Sequence, residues 1–195
     1  MNTLFDIDPI LPKGFSYYPS FISEDEEVSL LNLTQEYDLQ AMKFHQYVAK
    51  RNVKSFGRGW SFTEQKLIQG NPIPQEFDFL INKISNQLQI KKELIAQFLI
   101  TEYPVGSVIN WHRDAPPFDI IIGVSLLTDC ILKLRPYQPE KQSRSATISL
   151  NVQCRSLYVM KGESKTEWQH CTVPANNIRY SLTFRTLKPE KNIVI

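Results

Sequence analysis

The chain has 195 residues, of which 42% are hydrophobic and 22% charged, and it carries a formal net charge of +2 with a pI near 8.4. These values fit one soluble globular domain, and no apolar run approaches the roughly 18–20 residues of a membrane span. The small positive charge permits an anionic partner without requiring one. Three cysteines without a C-x-x-C spacing argue against a disulfide framework and against a cysteine zinc site.

Residues 1–6 lack the basic start and the apolar core of a secretory signal, so we expect an intracellular, cytoplasmic protein. We also expect residues 1–195 to form a single domain that is a monomer and does not bind membranes. Within it, residues 1–96 are predicted to hold an N-terminal arm and helices, and residues 97–187 a core of β-strands.

Two helices are predicted in the N-terminal half. Proline and glycine predict an irregular arm over about residues 1–20, with short β pieces. Ser23, followed by four acidic residues, predicts a helix N-cap and a helix that runs to about Tyr37. Apolar residues at helical spacing from Phe77 to Leu88 predict a second helix, which we expect to lie against a sheet.

Residues 39–66 interleave aromatic and basic side chains around Gly57 and Gly59. We expect extended pieces joined by a glycine turn. Bases stack on aromatic faces and phosphates pair with Arg or Lys, so this stretch is the best candidate for a nucleic-acid surface. The alternative from residue types alone is a half-buried hairpin with a solvated basic edge.

From about residue 97 the pattern changes to short apolar runs separated by Pro, Gly, Asn and Asp. No helical stretch intervenes, which favours a two-sheet antiparallel jelly roll over a βαβ fold. The predicted class is therefore mainly β with flanking helices (α+β), a double-stranded β-helix. The eight predicted strands are 98–103, 108–111, 120–127, 131–134, 147–150, 156–160, 166–170 and 179–185.

A His-x-Asp pair, His112 and Asp114, lies in this β-prone part of the chain. On an extended segment both side chains point to the same face, because strand side chains alternate. His170 lies in a later β-like run and can supply a third ligand. Two imidazoles and one carboxylate on one face form the ligand set of non-haem Fe(II) oxygenases.

The last predicted strand also carries polar residues on one face, Arg179, Ser181, Thr183 and Arg185. Two guanidiniums that point into a barrel are costly unless they meet anions. A dicarboxylate cosubstrate would satisfy them, since Arg pairs with carboxylates in a fixed fork geometry.

These motifs together resemble the AlkB family of Fe(II)- and 2-oxoglutarate-dependent dioxygenases over about residues 98–187, and a bacterial AlkB-like branch in particular. The runs Trp111-His-Arg-Asp-Ala-Pro and Ile122-Gly-Val-Ser-Leu carry the likeness to that branch. The residues that carry the family resemblance are Thr101, Tyr103, Gly106, His112, Asp114, His170, Arg179, Ser181, Thr183, Phe184 and Arg185.

The resemblance implies that His112, Asp114 and His170 bind Fe(II). It implies that 2-oxoglutarate is held by Tyr103 and Arg179 at its distal carboxylate and by Arg185 near the end that chelates the metal. Thr101 and Ser181 belong to the same site, although the family usually has Asn at both positions. Thr and Ser still donate one hydrogen bond each, but they are shorter and lack the second group of the amide.

The implied reaction is oxidative dealkylation of alkylated nucleobases, such as 1-methyladenine or 3-methylcytosine in DNA or RNA, with O2 as a cosubstrate. Residues 56–62 resemble the family's substrate lid within the N-terminal part. Trp60 and Phe62 are candidates to contact the base and Arg51 and Arg58 to contact phosphate. A target base must be in a single strand or be flipped out of a duplex.

Two other functions stay open from the sequence. The same iron chemistry could act on a protein or a small molecule, and Thr101 and Ser181 leave room for a non-catalytic binding module. His45 matches no motif and is expected to be a structural or surface histidine. Cys171, Trp111 and Trp168 flank the predicted ligands and are expected to pack in the core.

Overall fold

The computed structural model describes residues 9–44 and 47–189. His45 lies outside the described residues. The helices are α1 (Glu24–Gln35), α2 (Asp78–Leu88) and α3 (Glu163–Thr166). The strands are β1 (Phe15–Tyr18), β2 (Gln40–Phe44), β3 (Tyr47–Ser61), β4 (Lys66–Gln69), β5 (Ile95–Tyr103), β6 (Phe118–Leu126), β7 (Cys130–Pro136), β8 (Ile148–Val152), β9 (Leu157–Met160), β10 (Trp168–Thr172) and β11 (Arg179–Leu187).

The strands form two antiparallel sheets. The larger sheet has the order β1-β9-β6-β11-β5-β3-β2, with β4 paired to the end of β3, and the smaller has the order β10-β7-β8. This is the predicted double-stranded β-helix with flanking helices. None of the helices in the described ranges is long and apolar enough to cross a membrane.

The two predicted helices pack on the outer face of the larger sheet. Ser23 begins α1 with a capping box, in which its Oγ accepts from the Glu26 N–H at 3.1 Å and its own N–H donates to the Glu26 carboxylate at 2.7 Å. Leu30 of α1 and Leu80 of α2 are fully buried against sheet residues such as Phe98. The inner face of the larger sheet is thereby left to face the smaller sheet.

A second apolar cluster lies between the two sheets. It includes Phe118 and Met160 from the larger sheet and Leu132, Leu134 and Leu150 from the smaller one. This cluster fills one part of the space between the sheets, and polar inner-face residues surround the rest.

The prediction of a glycine turn at Gly57 and Gly59 is wrong, because both residues lie within the continuous strand β3. Gly57 has φ +74°, and a Cβ there would lie 2.2 Å from the Ala96 carbonyl oxygen, so this position within the strand requires a glycine. The Gly57 N–H donates to the Asn71 carbonyl at 2.7 Å.

Two strand predictions in the core also need correction. Residues 108–111 form a loop, and β10 begins at Trp168 because residues 163–166 form the short helix α3. The loop still contacts a strand, since His112 and His170 form an isolated antiparallel bridge.

Candidate active site

The inner face of three neighbouring strands positions most of the polar residues of the site. On β11 and β5, Arg179 pairs with Tyr103 and Ser181 with Thr101, and on the other side of β11 Ser181 pairs with Ser125 of β6. Because paired residues point to the same face of a sheet, these side chains form adjacent rows.

Arg179, Tyr103 and Thr101 line a cavity of about 370 Å³ between the two sheets, whereas Ser181 and Ser125 lie beside them without lining it. It is large enough for a small organic ligand. Side chains from both sheets and from the 104–117 segment between β5 and β6 line it, including Arg51, Trp60, Phe62, Gln97, Leu99, Thr101, Tyr103, His112, Asp114, Cys130, Tyr158, His170, Arg179, Thr183 and Arg185.

His112, Asp114 and His170 meet at one end of this cavity, with their possible ligand atoms all within 4.8 Å of one another. Main-chain hydrogen bonds hold the loop to the strand, from the His112 N–H to the His170 carbonyl at 3.0 Å and in the reverse direction at 2.9 Å. His112 is therefore not part of a strand. Its main-chain bridge to His170 of β10 places its side chain beside those of Asp114 and His170.

Both imidazoles have a nitrogen that can bind a metal. The His112 Nδ1 lies 2.8 Å from the Asn110 carbonyl oxygen, which can only accept, so Nδ1 carries the proton and Nε2 keeps its lone pair. Burial, aided by His112 and Arg185 and opposed by Asp114, lowers the pKa of His170 to about 3. His170 is therefore neutral at physiological pH and available as a ligand.

Asp114 is held as a carboxylate by an arginine. Arg185 donates to its Oδ1 from Nε at 3.1 Å and from Nη2 at 2.8 Å, and the Arg185 Nη1 donates to Gln97 Oε1 at 2.6 Å. Burial opposes ionisation, but Arg185, His170 and His112 outweigh it and lower the pKa of Asp114 to about 2. The other oxygen, Oδ2, lies 3.5 Å from His170 Nε2 and faces the cluster.

Arg179 lies in the same cavity but has a different environment. It is 5% exposed, its Nε donates to Ser125 Oγ at 3.0 Å, and its guanidinium carbon lies 5.0 Å from the centre of the Tyr103 ring. Among residues 9–44 and 47–189 no carboxylate forms an ion pair with it. A buried cation without an anion is costly, so this arrangement fits an anionic ligand.

The sequence profile of the 2OG-Fe(II) oxygenase superfamily matches residues 14–185. The chain belongs to this superfamily. Members of this superfamily are dioxygenases that use Fe(II) and 2-oxoglutarate with O2, and the chain contains the His-Asp-His group that this chemistry needs. The donor set fits these groups, since two imidazoles and a carboxylate suit Fe(II) and a buried unpaired guanidinium suits a dicarboxylate.

Named relatives of this oxygenase come from several organisms. It is 28% identical over 173 residues to the Mus musculus tRNA (carboxymethyluridine(34)-5-O)-methyltransferase ALKBH8, a match that covers 84% of this chain and 25% of the relative. The protein of the same name from Xenopus tropicalis is 24% identical, with 86% and 26% covered. The chain thus spans about a quarter of the length of these relatives.

Solved structures share the fold of the oxygenase. OsALKBH1 matches with a TM-score of 0.70 at 12% identity and covers 91% of this chain and 99% of its own. A prolyl hydroxylase from Trichoplax adhaerens, in complex with a peptide fragment of hypoxia inducible factor, matches with a TM-score of 0.63 at 14% identity, with 89% and 83% covered.

The residues predicted to contact substrate divide into two groups. Arg51, Trp60 and Phe62 line the cavity, with Phe62 49% exposed at its edge. Arg58 is exposed and does not line the cavity. Its role as a phosphate contact stays a prediction, as do the roles of the other three.

Sequence reasoning missed several residues of the site. Ser125 contacts Arg179, Gln97 contacts Arg185, and Tyr158 forms part of the cavity wall. The alternation along β5, β6 and β9 could have placed them on the inner face, but which residue lies beside which depends on strand register. Of the residues expected to pack near the ligands, Cys171 is buried, whereas Trp111 and Trp168 are half-buried.

Proposed function

We propose that this oxygenase is an AlkB-like enzyme that removes alkyl groups oxidatively from the nitrogen atoms of nucleobases in DNA or RNA, and that it belongs with the bacterial AlkB-like proteins. His112, Asp114 and His170 would bind the iron. Arg179, Tyr103, Thr101 and Ser181 would bind 2-oxoglutarate, with Arg185 near the end that chelates the metal. The observation that carries the cosubstrate assignment is the buried, unpaired guanidinium of Arg179 in the same cavity as the three ligands.

In this proposal, the side chains bind and orient the reactants. Arg185 fixes Asp114 through Oδ1, so that Oδ2 is the oxygen presented to the metal. Asn110 fixes the His112 ring through Nδ1, so that Nε2 is presented. Fe(II) held by these residues would supply the redox chemistry by which O2 hydroxylates the alkyl carbon while 2-oxoglutarate is converted to succinate and CO2. The hydroxylated alkyl group then leaves the base as an aldehyde.

The mouth of the cavity supports a nucleobase as substrate. Trp60 pairs with Leu67 in the β3–β4 hairpin, and its ring lines the cavity beside Phe62. Flat aromatic side chains stack on bases regardless of sequence, and Arg51 places a positive charge nearby. The ALKBH8 relatives, named as acting on tRNA, support the same substrate class.

Purified protein loaded with Fe(II) tests this proposal through formaldehyde release. The substrates are single-stranded DNA and RNA that carry 1-methyladenine or 3-methylcytosine. Release from at least one of them, absent in His112→Ala, is expected. Succinate production without release from any nucleic acid would overturn the nucleobase assignment while leaving the iron chemistry intact.

Substitution of the proposed stacking residue sharpens this test. Trp60→Ala should weaken substrate binding by about 5- to 150-fold, because stacking on one base contributes about 1–3 kcal/mol. Succinate formation without substrate should be unchanged. Phe79→Ala is the matched control, since Phe79 is a partly exposed aromatic residue on α2 outside the cavity.

A second candidate function is hydroxylation of a protein. The peptide-bound prolyl hydroxylase, which shares this fold, is the reason to test it. Proline-containing peptides assayed by mass spectrometry distinguish the two, because hydroxylation adds one oxygen atom to the peptide and releases no formaldehyde.

A further inference from the structure

Tyr158 is a polar residue of the cavity wall that has no role in the proposed mechanism. It lies on the inner face of β9, lines the cavity and stacks with Phe15 at a centroid distance of 6.2 Å and an interplanar angle of 12°. Within residues 9–44 and 47–189 its hydroxyl has no hydrogen-bond partner. Tyr158 is half-buried and its hydroxyl is not fully enclosed by protein, so the cavity that the ring lines is where a partner belongs.

Gly123 determines how the Tyr158 ring lies. The two residues are paired across β9 and β6, and a Cβ at position 123 would lie 2.2 Å from the ring Cζ and 2.5 Å from the hydroxyl oxygen. The ring therefore lies flat over β6 in space that any side chain at 123 would fill. Gly123 is itself paired with Thr183 of β11, so the hydroxyl points toward the strand that carries Arg179 and Ser181.

The residues next to Arg179 leave a place for another donor. Thr101 and Ser181 are short where the family pattern has the longer Asn, and Ser125 Oγ already accepts from Arg179. Burial raises the pKa of the Tyr158 hydroxyl, with Tyr103 adding to this effect and Arg179 opposing it. The hydroxyl is therefore protonated at neutral pH and can donate to an anion.

We propose that the Tyr158 hydroxyl donates a hydrogen bond to the distal carboxylate of 2-oxoglutarate, beside Arg179 and Tyr103. It supplies the donor that an Asn side chain at position 181 would otherwise provide. The inference rests on the proposed 2-oxoglutarate site and adds a residue that the family motifs do not contain.

Tyr158→Phe tests this role because it removes only the oxygen and keeps the ring over Gly123 and against Phe15. The measurement is the Kd of 2-oxoglutarate by isothermal titration, with Mn(II) in place of iron so that no turnover occurs. We expect a rise of about 10- to 100-fold, as for a hydrogen bond to a charged group. The Kd of Mn(II) alone should not change.

Pyruvate separates a carboxylate contact from a general disturbance of the cavity. It keeps the 2-oxoacid end of 2-oxoglutarate but lacks the distal carboxylate, so its affinity should be the same in wild type and Tyr158→Phe. Tyr17→Phe is the matched control, because the Tyr17 hydroxyl lies outside the cavity and accepts from the Gln153 N–H at 2.9 Å. An equal loss of affinity for both acids would overturn the proposal.

A second variant should move the Tyr158 hydroxyl without removing it. Gly123→Ala should displace the Tyr158 ring and weaken 2-oxoglutarate binding, with pyruvate again unaffected. Arg179→Ala separates the role of Tyr158 from the 2-oxoglutarate site itself. Weaker 2-oxoglutarate binding in Arg179→Ala but not in Tyr158→Phe would overturn the role of Tyr158 alone. Unchanged binding in both would overturn the cosubstrate site and the role of Tyr158 with it.

Discussion

The two ends of the cavity each contain an arginine from the inner face of β11, but the two arginines differ in their partners. Arg185 is neutralised by Asp114 and also donates to Gln97. Arg179 is more deeply buried and donates to the neutral hydroxyl of Ser125. The end of the cavity that holds His112, Asp114 and His170 (the metal end) is thus balanced by the protein's own charges. The end that holds Arg179 (the distal end) needs an anion from outside.

The difference shows how one strand can serve two purposes. At the metal end, Arg185 holds a carboxylate in a fixed position and keeps it ionised for a cation. At the distal end, an unpaired cation in a low-dielectric site attracts a carboxylate strongly, because little water competes for it. Both residues are arginines, so their different roles come from the groups that they face. Arg185 faces a carboxylate of the protein and holds it in place, whereas Arg179 faces none and can bind the carboxylate of a ligand.

The largest effect is expected from His112→Ala, which removes a ligand from the balanced end. Loss of an outer hydrogen-bond partner of a metal ligand costs about 10- to 100-fold in affinity, so loss of the ligand itself should exceed about 100-fold. The main-chain bridge to His170 should remain, since alanine keeps both backbone groups. Mn(II) titration and circular dichroism measure the two effects. An unchanged Mn(II) affinity would contradict the assignment.

Arg179→Ala should act on the other end alone. Removing one partner of a buried charge-assisted pair costs about 2–5 kcal/mol, which corresponds to a rise in the 2-oxoglutarate Kd of roughly 30- to 4,000-fold. The Mn(II) affinity should stay at the wild-type value, because Arg179 does not contact the three ligands. A large loss of Mn(II) binding in this variant would show that the two ends are not independent.

Without added ligands, substitution of Arg185 should lower the free energy of unfolding, whereas substitution of Arg179 should not. Arg185→Met leaves Asp114 buried without its cation, so the free energy of unfolding should fall by about 3 kcal/mol, the low end for a broken buried pair. Arg179→Met removes a buried charge that has no anion and should leave stability unchanged or raise it. Urea denaturation of both variants checks this. An equal loss of unfolding free energy in the two variants would contradict the difference in charge balance between the two ends.

Much of this arrangement could be predicted from the sequence where the signal is local. Ser23 with Glu26 three residues later predicts the start of α1, and alternation along 179–185 predicts the inner face of β11. The 108–111 prediction failed because a β-prone composition does not reveal whether a strand partner is within reach. Tyr158 and Ser125 could not be placed because their proximity to Arg179 depends on register between distant strands, which no local pattern contains.

The smallest effect should come from Thr101→Val, which tests whether the short hydroxyls of the distal end contribute to binding. Valine has nearly the same shape as threonine, so the buried Thr101 site should keep its packing while losing one donor. A single hydrogen bond contributes about 0.5–1.5 kcal/mol net, so the 2-oxoglutarate Kd should rise about 2- to 10-fold. Cys130→Ala, at another position of the cavity wall, is the control for a change in cavity lining. If Thr101→Val has no effect while Tyr158→Phe does, the carboxylate is held by Tyr158 and Arg179 without Thr101. The distal end would then differ from the family pattern at this position as well as at Ser181.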